Sequence, residues 1–173
     1  MQVSVTGAPR ELVVTDAVTA APAPARSVTV RVPGVPVPWQ RPRARVVGGR
    51  AQFFEAAKPR SWKVAAQERM ERALLEAGHA APLEGPLQVV IVAVWALPRT
   101  KERKTRPLPR QWRAQRPDAD QIAKLVLDAA NALLWRDDAQ VSRLAVEKWI
   151  GAQGEPPFVL IEVWQLEPQQ VRA

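Results

Sequence analysis

Cysteine is absent from the 173 residues. That excludes a disulfide scaffold, a thiolate zinc site and a cysteine nucleophile. Histidine occurs once, at His79, so multi-histidine metal sites are excluded and histidine-based catalysis would rest on a single residue. Any metal would be held mainly by carboxylates, which suits hard ions such as Mg²⁺ or Mn²⁺. Tyrosine is also absent, and seven tryptophans and three phenylalanines make up the aromatic content. The longest apolar run, 89–97, is of strand length and far short of the ~20 residues that cross a bilayer. No basic segment followed by an apolar one opens the chain, which predicts no signal peptide. A cytoplasmic protein with no membrane partner is expected. The sequence has no G-x-x-x-x-G-K-[ST], G-x-G-x-x-G or G-x-S-x-G, which removes the common phosphate-loop, dinucleotide and serine-hydrolase chemistries.

What is present is positive charge. The formal net charge is +8 and the pI is near 11.0, so a polyanionic partner is the leading expectation. The length suits one domain with a core of its own.

Residues 1–26 differ from the rest. The stretch 18–26 reads VTAAPAPAR, too poor in bulky apolar residues to offset its chain entropy. A flexible extension is predicted there, in which 11–15 could form a short strand. Its charges cancel, so the net charge sits on 27–173. Beyond it, alternation predicts a strand over 27–32, ended by Pro33. A Pro- and Arg-rich loop is expected over 34–49. Helical spacing of Trp62, Ala65, Ala66, Met70, Ala73 and Leu74 predicts a helix over 61–77, with Gly78 as its stop. A buried strand follows over 87–96, a long basic loop over 99–116 and a second helix over 121–135. Strands over 141–150 and 158–166 are joined by a turn rich in Gly and Pro. The elements do not alternate as in a doubly wound sheet. The expected fold is a single α+β domain over 27–166, with a mixed sheet, two main helices and a short tail over 167–173.

The segment 116–141, RPDADQIAKLVLDAANALLWRDDAQV, concentrates the chemistry. Asp118 and Asp120 stand as D-x-D where the second helix begins, and Asp137 and Asp138 stand past its end. Converging carboxylates make a hard-cation site, and the cation offsets their repulsion. The helix is apolar on most of its circumference, with one polar stripe of Gln121, Lys124, Asp128 and Asn131. Lys124, four residues after Asp120, could stabilise charge on a reacting phosphate. Each aspartate also has a plainer reading: a helix cap, a first-turn anion or a turn residue. Lys124 could simply pair with Asp120 or Asp128. The plainer readings do not account for four aspartates bracketing a mostly apolar helix in a basic protein.

This segment resembles the RusA-like Holliday junction resolvases. Their pattern of D-x-D-N, a lysine four residues after the second aspartate, L-D-A-L and D-D-x-Q-V is met by Asp118, Asp120, Lys124, Leu127, Asp128, Ala129, Asp137, Asp138, Gln140 and Val141, with Gln121 in place of the asparagine. The stretch VPGVPVPWQRPRAR is similar to the family's opening motif at Pro33, Gly34, Pro36, Pro38, Arg41, Pro42 and Arg43. The resemblance implies that Asp118, Asp120 and Asp138 bind Mg²⁺ and that Lys124 belongs to the active site. Asp128, Asp137 and Gln121 would support it. It further implies a homodimer that cuts two strands of a four-way DNA junction in recombination or repair.

Two basic clusters fit such a substrate. Arg99, Lys101, Arg103, Lys104, Arg106, Arg110, Arg113 and Arg116 face one acid, Glu102, and run directly into the D-x-D motif. Arg41 and Arg43 open the second cluster. Cations beside an acidic metal site can position a DNA backbone while the metal acts on one phosphate. A solubilising loop is the alternative. Trp112, inside the basic loop, could stack on an unpaired base or fold onto the core. Trp39 shares the ambiguity. Trp149, Phe158 and Trp164 on the last two strands would suit a dimer interface, and a junction's two-fold symmetry calls for paired sites. The rival expectations are a basic DNA-binding protein without catalysis and a related nuclease that prefers flaps or forks.

Overall fold

Alternation along β1 (Ser27–Pro33) turns Val28, Val30 and Val32 to one face, and all three are buried. The computed structural model describes residues 27–54, 56–79 and 82–166. The expected extension over 1–26, its strand over 11–15 and the tail over 167–173 lie outside the described residues. Strand β4 (Leu87–Trp95) buries Leu87, Val89, Ile91 and Ala93, and β7 (Phe158–Gln165) buries Val159, Ile161 and Val163. Strand β7 lies between β1 and β4, antiparallel to both. Strand β6 (Val141–Ile150) runs parallel to β4. The mixed sheet has the order β1-β7-β4-β6-β5, where β5 is the short Gln111–Trp112. The expected α+β fold is observed, and no helix among the described residues is long and apolar enough to cross a membrane.

Both helices cover the same face of this sheet, because their buried residues join one core cluster with the β1, β4 and β7 side chains. Helix α1 (Ala57–Glu76) buries Pro59, Trp62, Ala66, Met70 and Leu74. It begins a turn before the expected 61 because Pro59 sits in the first turn, where its missing N–H is no loss. It stops at Gly78, whose φ of +78° suits glycine. The Gly78 and His79 amides then donate to the Leu75 and Leu74 carbonyls, so His79 is a helix-end residue.

Helix α2 (Ala119–Ala130) ends five residues before the expected 135. Asn131 accepts a hydrogen bond from the indole N–H of fully buried Trp135 at 2.9 Å. Ala132 then turns the chain through a left-handed φ of +61°. The apolar stripe expected to continue through Leu134 is buried by this turn instead. Gln67 Nε2 donates to the Ala129 carbonyl at 3.2 Å and ties α1 to α2.

Two segments expected as loops carry structure. The stretch expected as a loop over 34–49 contains β2 (Arg43–Val47), paired antiparallel with β3 (Arg50–Phe54) as a separate two-stranded sheet. Gly48 and Gly49, with φ of +60° and +77°, form the connection, as a type I′ turn requires. The basic segment over 99–116 holds a 3₁₀ turn at Arg99–Lys101 and the strand β5.

The Asn131–Trp135 contact fixes how the chain leaves α2. Asn131→Ala strands a buried indole N–H and is expected to cost about 1–3 kcal/mol in urea denaturation. An unchanged midpoint would mean that packing alone holds the turn.

Candidate active site

Asp118 occupies the N-cap position of α2, with extended φ and ψ of −72° and 154°, yet its side chain caps nothing. Asp120 lies in the first turn. Both are exposed, as is Asp138 in the 3₁₀ turn Asp138–Gln140. Among the described residues these three side chains have no hydrogen-bond or ion-pair partner. Asp137 is different. It accepts from the Ala139 amide at 2.8 Å, and Gln140 Oε1 accepts from the Asp137 amide at 3.2 Å, closing a capping box. Gln140 Nε2 also donates to the Leu83 and Gly85 carbonyls, each at 3.1 Å. The D-D-x-Q segment therefore divides into two residues that build the turn and one free carboxylate.

Several groups brace the N-terminal end of α2. The Trp39 amide donates to the Gln121 carbonyl at 2.9 Å, and Lys124 Nζ lies 5.0 Å from the Trp39 ring centroid. Trp39 packs partly against the core. The Pro- and Arg-rich motif is thus docked on the first turn of the D-x-D helix, and Arg41 and Arg43 follow directly. From the sheet side, Lys148 Nζ donates to the Gln115 carbonyl at 3.0 Å and the Pro117 carbonyl at 2.7 Å. The Arg113 guanidinium lies 4.6 Å from the Trp95 ring centroid and donates to the Arg116 carbonyl at 2.7 Å. The Arg116–Pro117 peptide between them is cis. Sequence reasoning passed over Lys148. The signal was its position: between Val146 and Ile150 it falls on the inward face of β6, where a charge needs a reason.

The two ends of α2 are far apart. Its 12 residues span about 18 Å, and Asp138 comes after the turn beyond its C-terminus. Strand β6 gives the same separation. Lys148, near the end of β6, holds Pro117, while Asp138 precedes Val141 at the start; seven residue steps are about 23 Å. Asp128, half-buried, lies two turns along α2 from Asp120. Among the described residues no three Asp, Glu or His side chains stand together as a metal-binding group. Asp118 and Asp120 offer hard oxygen donors at one helix end, the right chemistry for a divalent cation. No third carboxylate stands with them among the described residues.

Around this end the surface is basic. Arg99, Lys101, Arg103, Lys104, Arg106 and Arg116 are exposed. Arg110 is engaged within the chain by Glu155, donating to Oε2 at 2.8 Å. Its hydrogen bonds hold the Glu155 carboxyl below the usual carboxylate range. Trp112 is 66% exposed and stacks on Trp149 with centroids 3.5 Å apart. It is neither in the core nor isolated. Phe158 is buried within the chain, under the Arg31 guanidinium at 3.4 Å, while Trp149 and Trp164 are half-buried.

Comparison with known proteins gives two findings. The family model for endodeoxyribonuclease RusA matches residues 33–163, which includes every carboxylate above. Over 142 residues the chain is 28% identical to the uncharacterized protein YqaN of Bacillus subtilis (strain 168), an alignment covering 75% of this chain and 92% of that protein.

The free and the engaged aspartates should differ in what they contribute to stability. Asp137→Ala is expected to cost about 0.5–2 kcal/mol through the lost cap. Asp118→Asn should change stability by less than about 0.5 kcal/mol, as at a surface position without partners. Thermal denaturation of the two variants decides this, and equal losses would contradict the assignment.

Proposed function

The chain belongs to the RusA endodeoxyribonuclease family, and on that footing we propose that it resolves four-way DNA junctions by paired, divalent-metal-dependent phosphodiester hydrolysis in recombination or repair. The observation that carries the reading is the set of unpartnered carboxylates at Asp118, Asp120 and Asp138 in a strongly basic protein. Free carboxylates with no structural task are suited to holding a hard cation such as Mg²⁺ or Mn²⁺. A bound divalent cation would supply Lewis-acid polarisation of the phosphate and a more acidic water.

The residues of the chain have separate roles in this reading. Asp118 and Asp120 hold the cation, and the open first turn of α2 directs its uncapped amides and positive dipole toward the phosphate. Lys124, kept near that turn by the Trp39 ring, neutralises charge on the phosphoryl oxygens. Gln121 is fixed through its carbonyl by the Trp39 amide and helps set the first turn. Lys148 and Arg113 act as positioning residues, gripping the carbonyls that lead into Asp118. Exposed Arg41, Arg43, Arg99, Lys101, Arg103, Lys104, Arg106 and Arg116 bind phosphates along the arms and give affinity without sequence preference. Acting on DNA, the protein would work in the cytoplasm.

Asp138 enters this site from a second copy of the chain. Its distance from Asp118 along both α2 and β6 supports that arrangement. So does the outer edge of β6: among the described residues it pairs, beyond β4, only with β5, at Trp149 and Ile150. The edge before them has no strand beside it among the described residues, and Leu144 at its middle is exposed. Antiparallel pairing of two such edges about a two-fold axis sets the start of one β6 beside the end of the other. Each Asp138 then meets the partner's Asp118 and Asp120, giving two sites in one homodimer, as a two-fold symmetric junction requires.

Mixing inactive variants tests this directly. Asp120→Asn and Asp138→Asn should each abolish cleavage of a labelled four-way junction while retaining binding. Unfolded and refolded together, they form heterodimers in which one site is wholly intact. Single nicks should return at about one quarter of the wild-type number of sites, as random pairing in a two-fold dimer gives. A mixture that stays inactive while heterodimers form would place all three carboxylates in one chain.

A further inference from the structure

Apart from Arg43, the β2–β3 ribbon has no role in the site described so far, and its surface is unusual. It makes its own two-stranded sheet rather than joining the main one. The register pairs Val46 with Ala51 and Ala44 with Phe53, so these four side chains share one face. Val47 pairs with Arg50 on the other face, which Arg43 and Gln52 also occupy. Phe53 is 74% exposed and Val46 71% exposed. A two-stranded ribbon is marginal in water by itself, and this one presents an apolar face that nothing covers among the described residues. The 12 residues from Arg43 to Phe54 include three arginines and no carboxylate. The ribbon departs from Trp39, and so from the first turn of α2.

We propose that this ribbon is a DNA-reading arm. Its apolar face, led by Phe53 and Val46, lies against bases left unstacked at the exchange point of a branched DNA, and Arg43 and Arg50 bind the flanking phosphates. The inference rests on the reading of the substrate as branched DNA and adds a contact the catalytic residues do not make. Charge decides the occupant. Three arginines without a carboxylate suit a polyanion, and a nucleic acid offers phosphates to the arginine face and bases to the apolar face. Five residues per strand extend about 16 Å, enough to cross a groove or the open centre of a junction. Apolar side chains that wedge between base steps, and β-ribbons that lie in grooves, are established ways for proteins to grip deformed DNA. The Gly48–Gly49 turn keeps the tip narrow.

The test uses a four-way junction carrying 2-aminopurine at the exchange point, the full chain and EDTA, so that no strand is cut. The wild type should raise the fluorescence as the base unstacks. Phe53→Ser should abolish most of that rise and weaken junction binding about five- to a hundredfold, the loss expected for base stacking. Affinity for linear duplex should fall less than about threefold, since phosphate contacts dominate there. Val46→Ser is the second variant, and circular dichroism checks that each is folded. A wild-type fluorescence rise in both folded variants overturns the proposal. So does a shift to monomer in sedimentation with an unchanged fluorescence response, which would assign the face to a second copy. The nuclease reading is judged separately, by cleavage in Mg²⁺. A Phe53-dependent rise without cleavage upholds the arm and sinks the nuclease reading, while cleavage without such a rise does the reverse.

Discussion

Two neighbouring strands that run the same way can be joined only by a chain that travels back along the sheet between them. Strands β4 and β6 are such a pair, and α2 is the return path. Helix α2 must therefore run against both strands, with its N-terminus where β4 ends and its C-terminus where β6 begins. The rest of the site follows from this. Asp118 and Asp120 are placed at one end of the crossover and Asp138 at the other, and no side-chain rearrangement closes a gap of about 18 Å. The same topology leaves β6 near the margin of the sheet, with most of its outer edge open among the described residues. The separation of these carboxylates and the open edge of β6 thus have one cause.

The D-x-D end of the crossover is held more firmly than a helix start needs. Lys148 and Arg113 grip three consecutive stretches of backbone carbonyl before Asp118, and Trp39 fastens the preceding motif to the first turn. Against this bracing, the aspartates are left without partners. Neighbouring carboxylates repel each other, and among the described residues only the helix dipole and the surrounding basic surface offset that. A rigid frame around unpartnered charge is the usual sign of a site whose partner comes from outside the fold. Asp137, next in sequence to Asp138, is by contrast fully used in a capping box.

Much of this was legible in the residues. Strands β1, β6 and β7 follow from apolar alternation and β4 from a continuous apolar run, and the bounds of β6 match the expectation at both ends. The two helices follow from helical spacing, and the carboxylates from the motif. The misses have physical reasons. Helix α2 stops at Ala130 because a side chain to indole hydrogen bond redirects the chain, a long-range gain that no local pattern contains. The β2–β3 ribbon was hidden because its strands are rich in arginine and short of buried residues; the Gly48–Gly49 pair between Val47 and Arg50 was the available sign. The roles of Asp137 and Asp138 could not be separated, since a capping residue and a free one are the same residue type. The separation of Asp138 from Asp118 and Asp120 was invisible to motif reading, because spacing in sequence says nothing about direction across a sheet.

The central claim is that this chain cuts branched DNA with paired sites. Its most direct measurement is incubation of the wild type with a four-way junction labelled on each strand in turn, beside a linear duplex of the same sequence, in Mg²⁺ and in chelator. The account predicts nicks on two opposing strands at positions related by the junction's two-fold axis, in Mg²⁺ alone, with the duplex left intact. Tight junction binding with every strand uncut in Mg²⁺ or Mn²⁺ would contradict it, and would leave a basic DNA-binding protein whose free aspartates have another use.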